Sequence, residues 1–89
     1  MARISFTQNL DRHVKCPPET VDGANLRAAL ESYFLRHPAL RPYLLDEQGA
    51  LRKHVVIFVD GRQLGDRNGL TDSLSDASEV YVMQALSGG

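Results

Sequence analysis

The stretch His54-Val55-Val56-Ile57-Phe58-Val59-Asp60-Gly61 decides the fold. Its first six residues are rich in β-branched side chains, which predicts a strand. Asp60-Gly61 follows at once and is a strong signal for a two-residue hairpin, because both central residues of that turn need positive φ. Arg62-Gln63-Leu64 then predicts a short return arm. We therefore expect a β-hairpin in this part of the chain.

A further strand is predicted downstream of the hairpin. After a polar stretch from Gly65 to Asp76, the segment Glu79-Val80-Tyr81-Val82-Met83-Gln84-Ala85-Leu86 has the composition of a strand.

The N-terminal segment predicts strand, turn and strand. Ile4 and Phe6 alternate with polar residues, which is the period of a half-buried strand. A second, poorer strand is predicted between Val14 and Thr20. Pro17 and Pro18 cannot donate to a sheet, so this strand lies at an edge or is broken.

A helix of about twelve residues is predicted after the second of these strands, because one apolar stripe repeats at helical spacing. The stripe consists of Leu26, Ala29, Leu30, Tyr33 and Phe34. Asn25 is a good N-cap. His37 precedes Pro38, and the residue before a proline disfavours helix, so the helix ends there. Residues 38–53 are predicted to be a loop whose leucines tuck under the domain.

Together these elements predict an α+β protein with the β-grasp arrangement, as in ubiquitin. One main helix packs on one face of a small mixed sheet of four to five strands. We expect a β-grasp domain at residues 1–86 and a flexible C-terminal diglycine tail at residues 87–89.

The alternation of side chains also predicts an open sheet face. Successive side chains of a strand point to opposite faces, so the residues between those that face the helix must face away. Four apolar side chains fall on the uncovered face: Val56, Phe58, Tyr81 and Met83. Exposed apolar patches mark partner surfaces, and aromatic residues and methionine are enriched at interface cores. We favour a partner surface; the alternative is that residues 40–45 fold over this face and bury it.

Composition and charge exclude several classes of function. Ten Lys and Arg against eleven Asp and Glu give a formal charge of −1, without the basic excess of a nucleic-acid binder or of a membrane-surface protein. No apolar run reaches the roughly 20 residues of a membrane span, and the N-terminus lacks a signal-peptide pattern. A single cysteine forbids an internal disulfide. We therefore expect a cytoplasmic protein with no nucleic-acid or membrane partner.

Acidic residues concentrate in the second part of the chain. Residues 55–89 contain two arginines against five acidic residues, which are Asp60, Asp66, Asp72, Asp76 and Glu79. The simpler interpretation is a solvated surface whose reach is limited by salt screening. The alternative is that this half steers the end of the chain toward a basic partner.

The reactive residue types predict no catalytic or metal site. Cys16 is expected to pack as a small hydrophobe, because nothing nearby is seen to lower the pKa of its thiol. The histidines are too scattered for a metal site; they are His13, His37 and His54. Asp72 and Asp76 lie in a loop that offers no scaffold for a glycosidase-like pair. We assign no catalytic residue, no metal and no bound cofactor to this chain.

Gly88 and Gly89 follow the last strand directly. Glycine has no Cβ, so such a segment can thread a narrow slot and approach a reactive centre. The residues after Leu86 extend the chain by about 10 Å. The α-carboxylate of Gly89 is ionised at neutral pH and can attack the α-phosphate of ATP to form an acyl-adenylate. Another protein must supply the ATP site, so ATP would be used by the activating enzyme.

The sequence resembles the ubiquitin-like sulfur carriers of the MoaD/ThiS type over nearly its whole length. The matching segments are Arg52-Lys53-His54-Val55-Val56-Ile57-Phe58-Val59-Asp60-Gly61, Gly69-Leu70-Thr71, Asp76-Ala77-Ser78-Glu79-Val80 and Gly88-Gly89. Pro18-Glu19-Thr20-Val21 and Asn25-Leu26-Arg27-Ala28-Ala29-Leu30 are similar to the family's second strand and helix start. The resemblance implies a β-grasp protein whose C-terminal glycine is adenylated by an E1-like enzyme and converted to a thiocarboxylate.

The same resemblance implies roles for residues and partners. Gly89 would carry the sulfur and Gly88 completes the functional pair. The interface with partner enzymes would comprise Val56, Phe58, Tyr81, Met83 and Leu86. The implied partners are an E1-like adenylating enzyme of the MoeB/ThiF type, a sulfur donor such as a cysteine desulfurase or rhodanese, and an acceptor biosynthetic enzyme. The chain itself would be a protein cosubstrate and not an enzyme.

Departures from the family pattern bear on the destination of the sulfur, for which molybdopterin, thiamine and cysteine or methionine synthesis are the known types. Carriers for molybdopterin often have a Pro-Pro pair where this chain has Gln84-Ala85, and the usual Asp-Gly-Asp-Glu-Val turn is Asp76-Ala77-Ser78-Glu79-Val80. The loop with Leu45-Asp46-Glu47-Gln48-Gly49 is more similar to carriers that feed cysteine or methionine synthesis. Two alternative functions stay open: a modifier that forms isopeptide bonds to lysine, and a non-covalent β-grasp interaction module.

Overall fold

The computed structural model describes residues 1–84, except for the side chains of Asn9, Asp11 and His13. The predicted domain end at residue 86 and the predicted tail therefore lie outside the described residues. The elements, in chain order, are β1 (Ala2–Phe6), α1 (Gln8–His13), β2 (Glu19–Val21), α2 (Leu26–Arg36), a 3-10 turn (Pro38–Leu40), α3 (Arg41–Leu44), β3 (Val55–Val59), β4 (Arg62–Gln63) and β5 (Glu79–Gln84). The predicted α+β class and β-grasp arrangement are confirmed.

The five strands form one mixed sheet in the order β2-β1-β5-β3-β4. β1 and β5 are parallel, and the other neighbours are antiparallel. Parallel neighbours require a long crossover connection, and here the residues between β1 and β5, including α2, provide it. The last strand, β5, is consequently hydrogen-bonded on both sides, which fixes the part of the chain that leads to the terminal residues.

The hairpin of β3 and β4 is confirmed. Asp60 and Gly61 both have positive φ, at 51° and 83°, as a two-residue turn of this kind requires. Val59 pairs with Arg62 and Phe58 with Gln63. The return arm is two residues long, and it ends as the backbone N–H of Leu64 donates to the carbonyl of Ile57 at 2.9 Å.

The main helix α2 is also confirmed, at eleven residues. The side-chain oxygen of Asn25 accepts a hydrogen bond from the backbone N–H of Ala28 at 2.9 Å, which satisfies one of the free donors of the first turn. All five residues of the predicted stripe are buried. The helix ends at Arg36, two residues before Pro38.

The predicted turn between the first two strands is wrong, because the short helix α1 occupies that connection. Leu10, the apolar residue in the middle of α1, is completely buried, so tertiary packing holds this turn of helix in place. The second strand does form at the sheet edge. It is only three residues long and begins after Pro17 and Pro18.

The segment at residues 38–53 contains more structure than the predicted loop. A 3-10 turn at Pro38–Leu40 leads directly into α3 at Arg41–Leu44. Leu40, Leu44 and Leu45 are buried in the same core as α2.

The helices and the leucine-bearing segment cover one face of the sheet, here called the covered face. The strand residues that point into it are completely buried, and they are Ile4, Val55, Ile57, Val80 and Val82. Cys16, at 2% exposure, belongs to the same cluster, so its predicted packing role is confirmed.

Candidate functional site

The opposite side of the sheet, here called the open face, is built by the register of β3 and β5. Val56 pairs with Met83 and Phe58 pairs with Tyr81. Directly opposed residues of an antiparallel pair have Cβ atoms about 4.5–5.5 Å apart. The four apolar side chains predicted for this face are therefore brought together as two adjacent cross-strand pairs.

The open face differs sharply from the covered face in exposure. Tyr81 is 41% exposed, and its three apolar neighbours are half-buried. The segment at residues 40–45, which was the alternative cover for this face, packs into the core on the other side. That alternative is therefore wrong, and within the described residues this apolar patch faces outward.

Polar side chains border the patch on both sides. Ser5 of β1 is the register partner of Tyr81, and Arg3 is the partner of Glu79. Gln63 of β4 lies opposite Phe58. The sequence analysis did not include Ser5, Arg3 or Gln63 in the site. The alternation in β1 could have identified Arg3 and Ser5, and the length of the hairpin loop could have identified Gln63.

The described part of β5 ends at Gln84, which pairs with Val55 at the last rung of the β3–β5 ladder. Three residues predicted for the site, Leu86, Gly88 and Gly89, lie outside the described residues. The remaining four, on β3 and β5, are the ones that the structure brings together.

Three acidic residues of the second half, Asp60, Asp76 and Glu79, lie near the start of β5. The carboxylate of Asp60 accepts a hydrogen bond from the backbone N–H of Glu79 at 2.9 Å, and Asp76 forms an ion pair with the N-terminal ammonium group at 3.3 Å. Glu79 and Gln84 are separated by about 17 Å along the strand. These carboxylates therefore lie at the end of β5 opposite to Gln84. The interpretation that acidic residues steer the end of the chain concerns residues outside the described part and stays a prediction.

Among the described residues, three carboxyl groups have a lowered pKa, and each lies away from the open face. The pKa of Glu19 is lowered by its hydrogen bond to His37 and, next, by that to Arg36. The pKa of Glu31 is lowered by Arg41. In Asp66 the backbone N–H of Gly69 is the main cause of the lower pKa. In each case a hydrogen bond to the charged form favours that form. Glu19 and Glu31 connect different elements in this way, whereas Asp66 closes its own loop.

Histidines and carboxylates in the described residues show no cluster of three or more that could hold a metal ion. His37 stacks on Tyr33, whereas His54 contacts the edge of Tyr43. Asp72 accepts hydrogen bonds from the backbone N–H groups of Gly65 and Asp66, and therefore serves its own loop. The apolar open face, in contrast, has the composition of a surface that binds another protein.

None of the helices within residues 1–84 has the length and apolar character to cross a membrane.

Comparison with known proteins agrees with this architecture. The model of the ThiS family matches residues 14–89. No curated protein matches the chain in sequence at a significant level.

Solved structures share the fold at low sequence identity. The small archaeal modifier protein SAMP1 from Methanosarcina acetivorans is 21% identical, with a TM-score of 0.80 over 99% of this chain and 95% of that one. CysO of Amycolatopsis orientalis, in a complex with BexX, is 18% identical, with a TM-score of 0.82 over 100% of both chains. CysO of Mycobacterium tuberculosis is 20% identical, with a TM-score of 0.81 over 97% of this chain and 100% of that one.

Proposed function

The chain belongs to the ThiS family, and from this premise we propose that it is a ubiquitin-like sulfur carrier. The α-carboxylate of Gly89 is adenylated by an E1-like enzyme of the MoeB/ThiF type and is then converted to a thiocarboxylate. The observation that carries the proposal is the family match over residues 14–89, which includes both Gly88 and Gly89. The sulfur is passed on to a biosynthetic enzyme, and the chain acts as a cosubstrate in the cytoplasm.

The chemistry divides between the carrier and its partners. A carboxylate is a poor electrophile, so one of its oxygens must first become part of a better leaving group. Attack of that oxygen on the α-phosphate of ATP achieves this with loss of pyrophosphate. The terminal sulfur of an enzyme persulfide then displaces AMP, and a thiol reduces the resulting acyl disulfide to the thiocarboxylate. The carrier contributes the carboxylate, the activating enzyme binds ATP, and a cysteine desulfurase or rhodanese supplies the sulfur.

The geometry of β5 supports this division. Tyr81 and Met83 lie on the strand that leads to Gly89, and that strand is held by β1 and β3 on its two sides. A partner that contacts the open face is therefore within a fixed length of chain from the reacting group. The six residues from Met83 to Gly89 span at most about 20 Å, which is the upper limit for the separation between docking surface and ATP site on the partner.

The fold neighbours are consistent with a protein that acts by docking. The CysO of Amycolatopsis orientalis is seen in complex with a second protein, BexX. We propose that this chain likewise docks through Val56, Phe58, Tyr81 and Met83, together with Leu86. The acceptor is a biosynthetic enzyme. The departures at Gln84-Ala85 and at Asp76-Ala77-Ser78 argue against molybdopterin, and the loop at residues 45–49 favours cysteine or methionine synthesis.

A second candidate function is that of a protein modifier. The adenylate is the same, but the activated glycine is transferred to a lysine amine. The fold shared with a protein named as a small archaeal modifier supports keeping this candidate. The two functions differ only in the nucleophile that attacks the adenylate, which is sulfur for a carrier and a lysine amine for a modifier. Identifying the product therefore distinguishes them.

The test is a reconstitution with ATP, a MoeB/ThiF-type enzyme and a sulfur donor, followed by intact-mass measurement. We expect a mass increase equal to the replacement of one oxygen by sulfur, located at Gly89. Deletion of Gly89 should abolish the product, because the reacting carboxylate moves. Ser87→Ala is the matched control in the same segment and should be converted normally.

Other products would contradict the carrier proposal. Conjugates that resist reducing agents and leave a Gly-Gly remnant on lysine would identify a modifier. If neither product forms, and the Gly89 deletion still binds its partners with full affinity, the chain is an interaction module.

A further inference from the structure

We propose that Asn68-Gly69 is a latent modification site, held unreactive by Asp66 and Arg27. The reaction is succinimide formation, which converts Asn68 to aspartate or isoaspartate. Of the three asparagines in the chain, only Asn68 is followed by glycine, whose missing side chain leaves the attacking backbone nitrogen unhindered. The inference is independent of the proposed function, because neither the open face nor the terminal residues enter it.

The chemistry requires only water. The backbone nitrogen of Gly69 loses its proton to base and forms a bond to the side-chain carbonyl carbon of Asn68. The bond from that carbon to the amide nitrogen breaks, and ammonia leaves. Water then opens the ring at either carbonyl, giving aspartate or isoaspartate with no change in oxidation state.

The carboxylate of Asp66 holds the attacking nitrogen. One of its oxygens, Oδ1, accepts hydrogen bonds from the backbone N–H of Gly69 at 2.9 Å and of Asn68 at 3.1 Å. The other, Oδ2, accepts from the hydroxyl of Thr71 at 2.7 Å. The Gly69 nitrogen can attack only after it loses its proton, and the adjacent carboxylate opposes that loss because it would create a second negative charge.

The backbone conformation opposes the attack as well. The N–H of Leu70 donates to the carbonyl of Asp66 at 3.1 Å, which closes one helical turn around Asn68. Arg27 then fixes both peptide carbonyls, with Nε donating to Gly69 at 2.9 Å and Nη2 donating to Asn68 at 3.2 Å. Bringing the Gly69 nitrogen to the Asn68 side chain rotates this peptide and breaks these contacts.

The loop geometry requires the glycine of this Asn-Gly pair. A Cβ placed on Gly69 would lie 2.8 Å from Oδ2 of Asp66, closer than real Cβ contacts allow. The glycine that makes Asn68 reactive is therefore the residue that lets Asp66 close the loop. Asn68 itself is exposed, so water reaches it once the loop opens.

The experiment measures the rate of modification in mildly alkaline buffer by peptide mass spectrometry. Arg67 is the last Lys or Arg of the sequence, so trypsin releases residues 68–89 as one peptide that reports on Asn68. We expect the native protein to react at least about tenfold more slowly than the urea-unfolded chain, because the loop must first open. Asp66→Ala and Arg27→Gln should each accelerate the reaction several-fold while circular dichroism still shows a folded protein.

Asp60→Ala is the matched control. The carboxylate of Asp60 also closes a turn, by accepting hydrogen bonds from the backbone N–H of Glu79 at 2.9 Å and from the hydroxyl of Ser78 at 3.1 Å, and these partners lie outside the Asn68 loop. It should leave the Asn68 rate unchanged. Equal rates in native and unfolded protein would overturn the proposal. So would an Asp66→Ala rate equal to wild type, or an equal acceleration by Asp60→Ala, which would show general loosening instead of a specific hold.

Discussion

The two faces of the sheet are built by alternating residues of the same strands, yet one face is buried and the other is partly exposed to solvent. On β3, Val55 and Ile57 are completely buried against the helices, whereas Val56 and Phe58 point away from them. The residue types are similar on both faces, so hydrophobicity alone does not separate them. What separates them is the layer of helices and the leucine-bearing segment, which covers one face only.

This difference assigns the two faces different work. The covered face supplies the hydrophobic free energy of folding, which grows with the apolar area removed from water. The open face leaves four apolar side chains available for a second protein. In a chain of 89 residues, one core is all that the length provides, and this contiguous group lies outside it.

The largest predicted difference between the two faces is in the free energy of unfolding that their side chains contribute. Ile57→Ala on the covered face should lower the free energy of unfolding by about 2–5 kcal/mol, because it opens a cavity in a closely packed core. The neighbour Phe58→Ala should cost about 1 kcal/mol or less, mainly through its cross-strand contact with Tyr81. Urea denaturation of both variants measures the two values. Equal losses would show that the open face is in fact part of the core.

The second predicted difference concerns binding to a partner, for which the open face matters more than the covered face. Tyr81→Lys should weaken docking on the activating enzyme by about 2 kcal/mol, roughly thirtyfold, as expected for an aromatic residue at the centre of an interface. Its stability should change little, since Tyr81 is 41% exposed. Binding is measured by calorimetry or from the dependence of adenylate formation on carrier concentration.

Leu35→Lys is the control for that prediction. Leu35 is the most exposed large hydrophobic residue of the described chain, at 86%, and it lies on α2. It should bind as wild type does. A loss of binding in Leu35→Lys together with normal binding in Tyr81→Lys would move the interface to the helical side.

Much of this comparison was predictable from local sequence patterns. The alternation in β3, the positive φ required at Asp60-Gly61 and the capped apolar stripe of α2 each depend on neighbours a few residues away. Those signals placed the strands, the main helix and the four residues of the open face.

The parts that sequence could not predict depend on distant contacts. α1 has only Leu10 as an apolar anchor, so no helical periodicity is visible, and its burial is a tertiary effect. The burial of Leu40, Leu44 and Leu45 was predicted, but the helical turns at Pro38–Leu40 and Arg41–Leu44 that carry these leucines were not. The role of Arg27 was not predicted either: its guanidinium joins the loops at Gly49 and Gly69, which lie far away in sequence.

The covering helix itself offers a prediction of intermediate size. Asn25→Ala removes the cap on the first turn of α2 and should cost about 1 kcal/mol of stability. Docking through the open face should be unaffected, because the helix lies on the other side of the sheet. Asn25→Asp keeps an acceptor at this position and should recover most of the loss, as measured by thermal unfolding. Failure of Asn25→Asp to do so would mean that the side chain acts in some way other than capping.

The smallest effect lies at the border of the covered face, where the edge strand β2 meets the end of α2. Glu19 accepts hydrogen bonds from His37 and Arg36, each at 2.5 Å, and these hold the pKa of Glu19 below its ordinary value of 4.5. Because the pKa is lower in the folded state, the stabilisation is fully present above pH 4.5 and is lost as the pH falls through the lowered pKa. Urea denaturation of wild type should therefore show a decline in acid that is shallower in Glu19→Gln. Glu47→Gln, at an exposed turn position, should keep the wild-type decline; a matching change there would show that net charge, and not this tie between β2 and α2, sets the acid sensitivity.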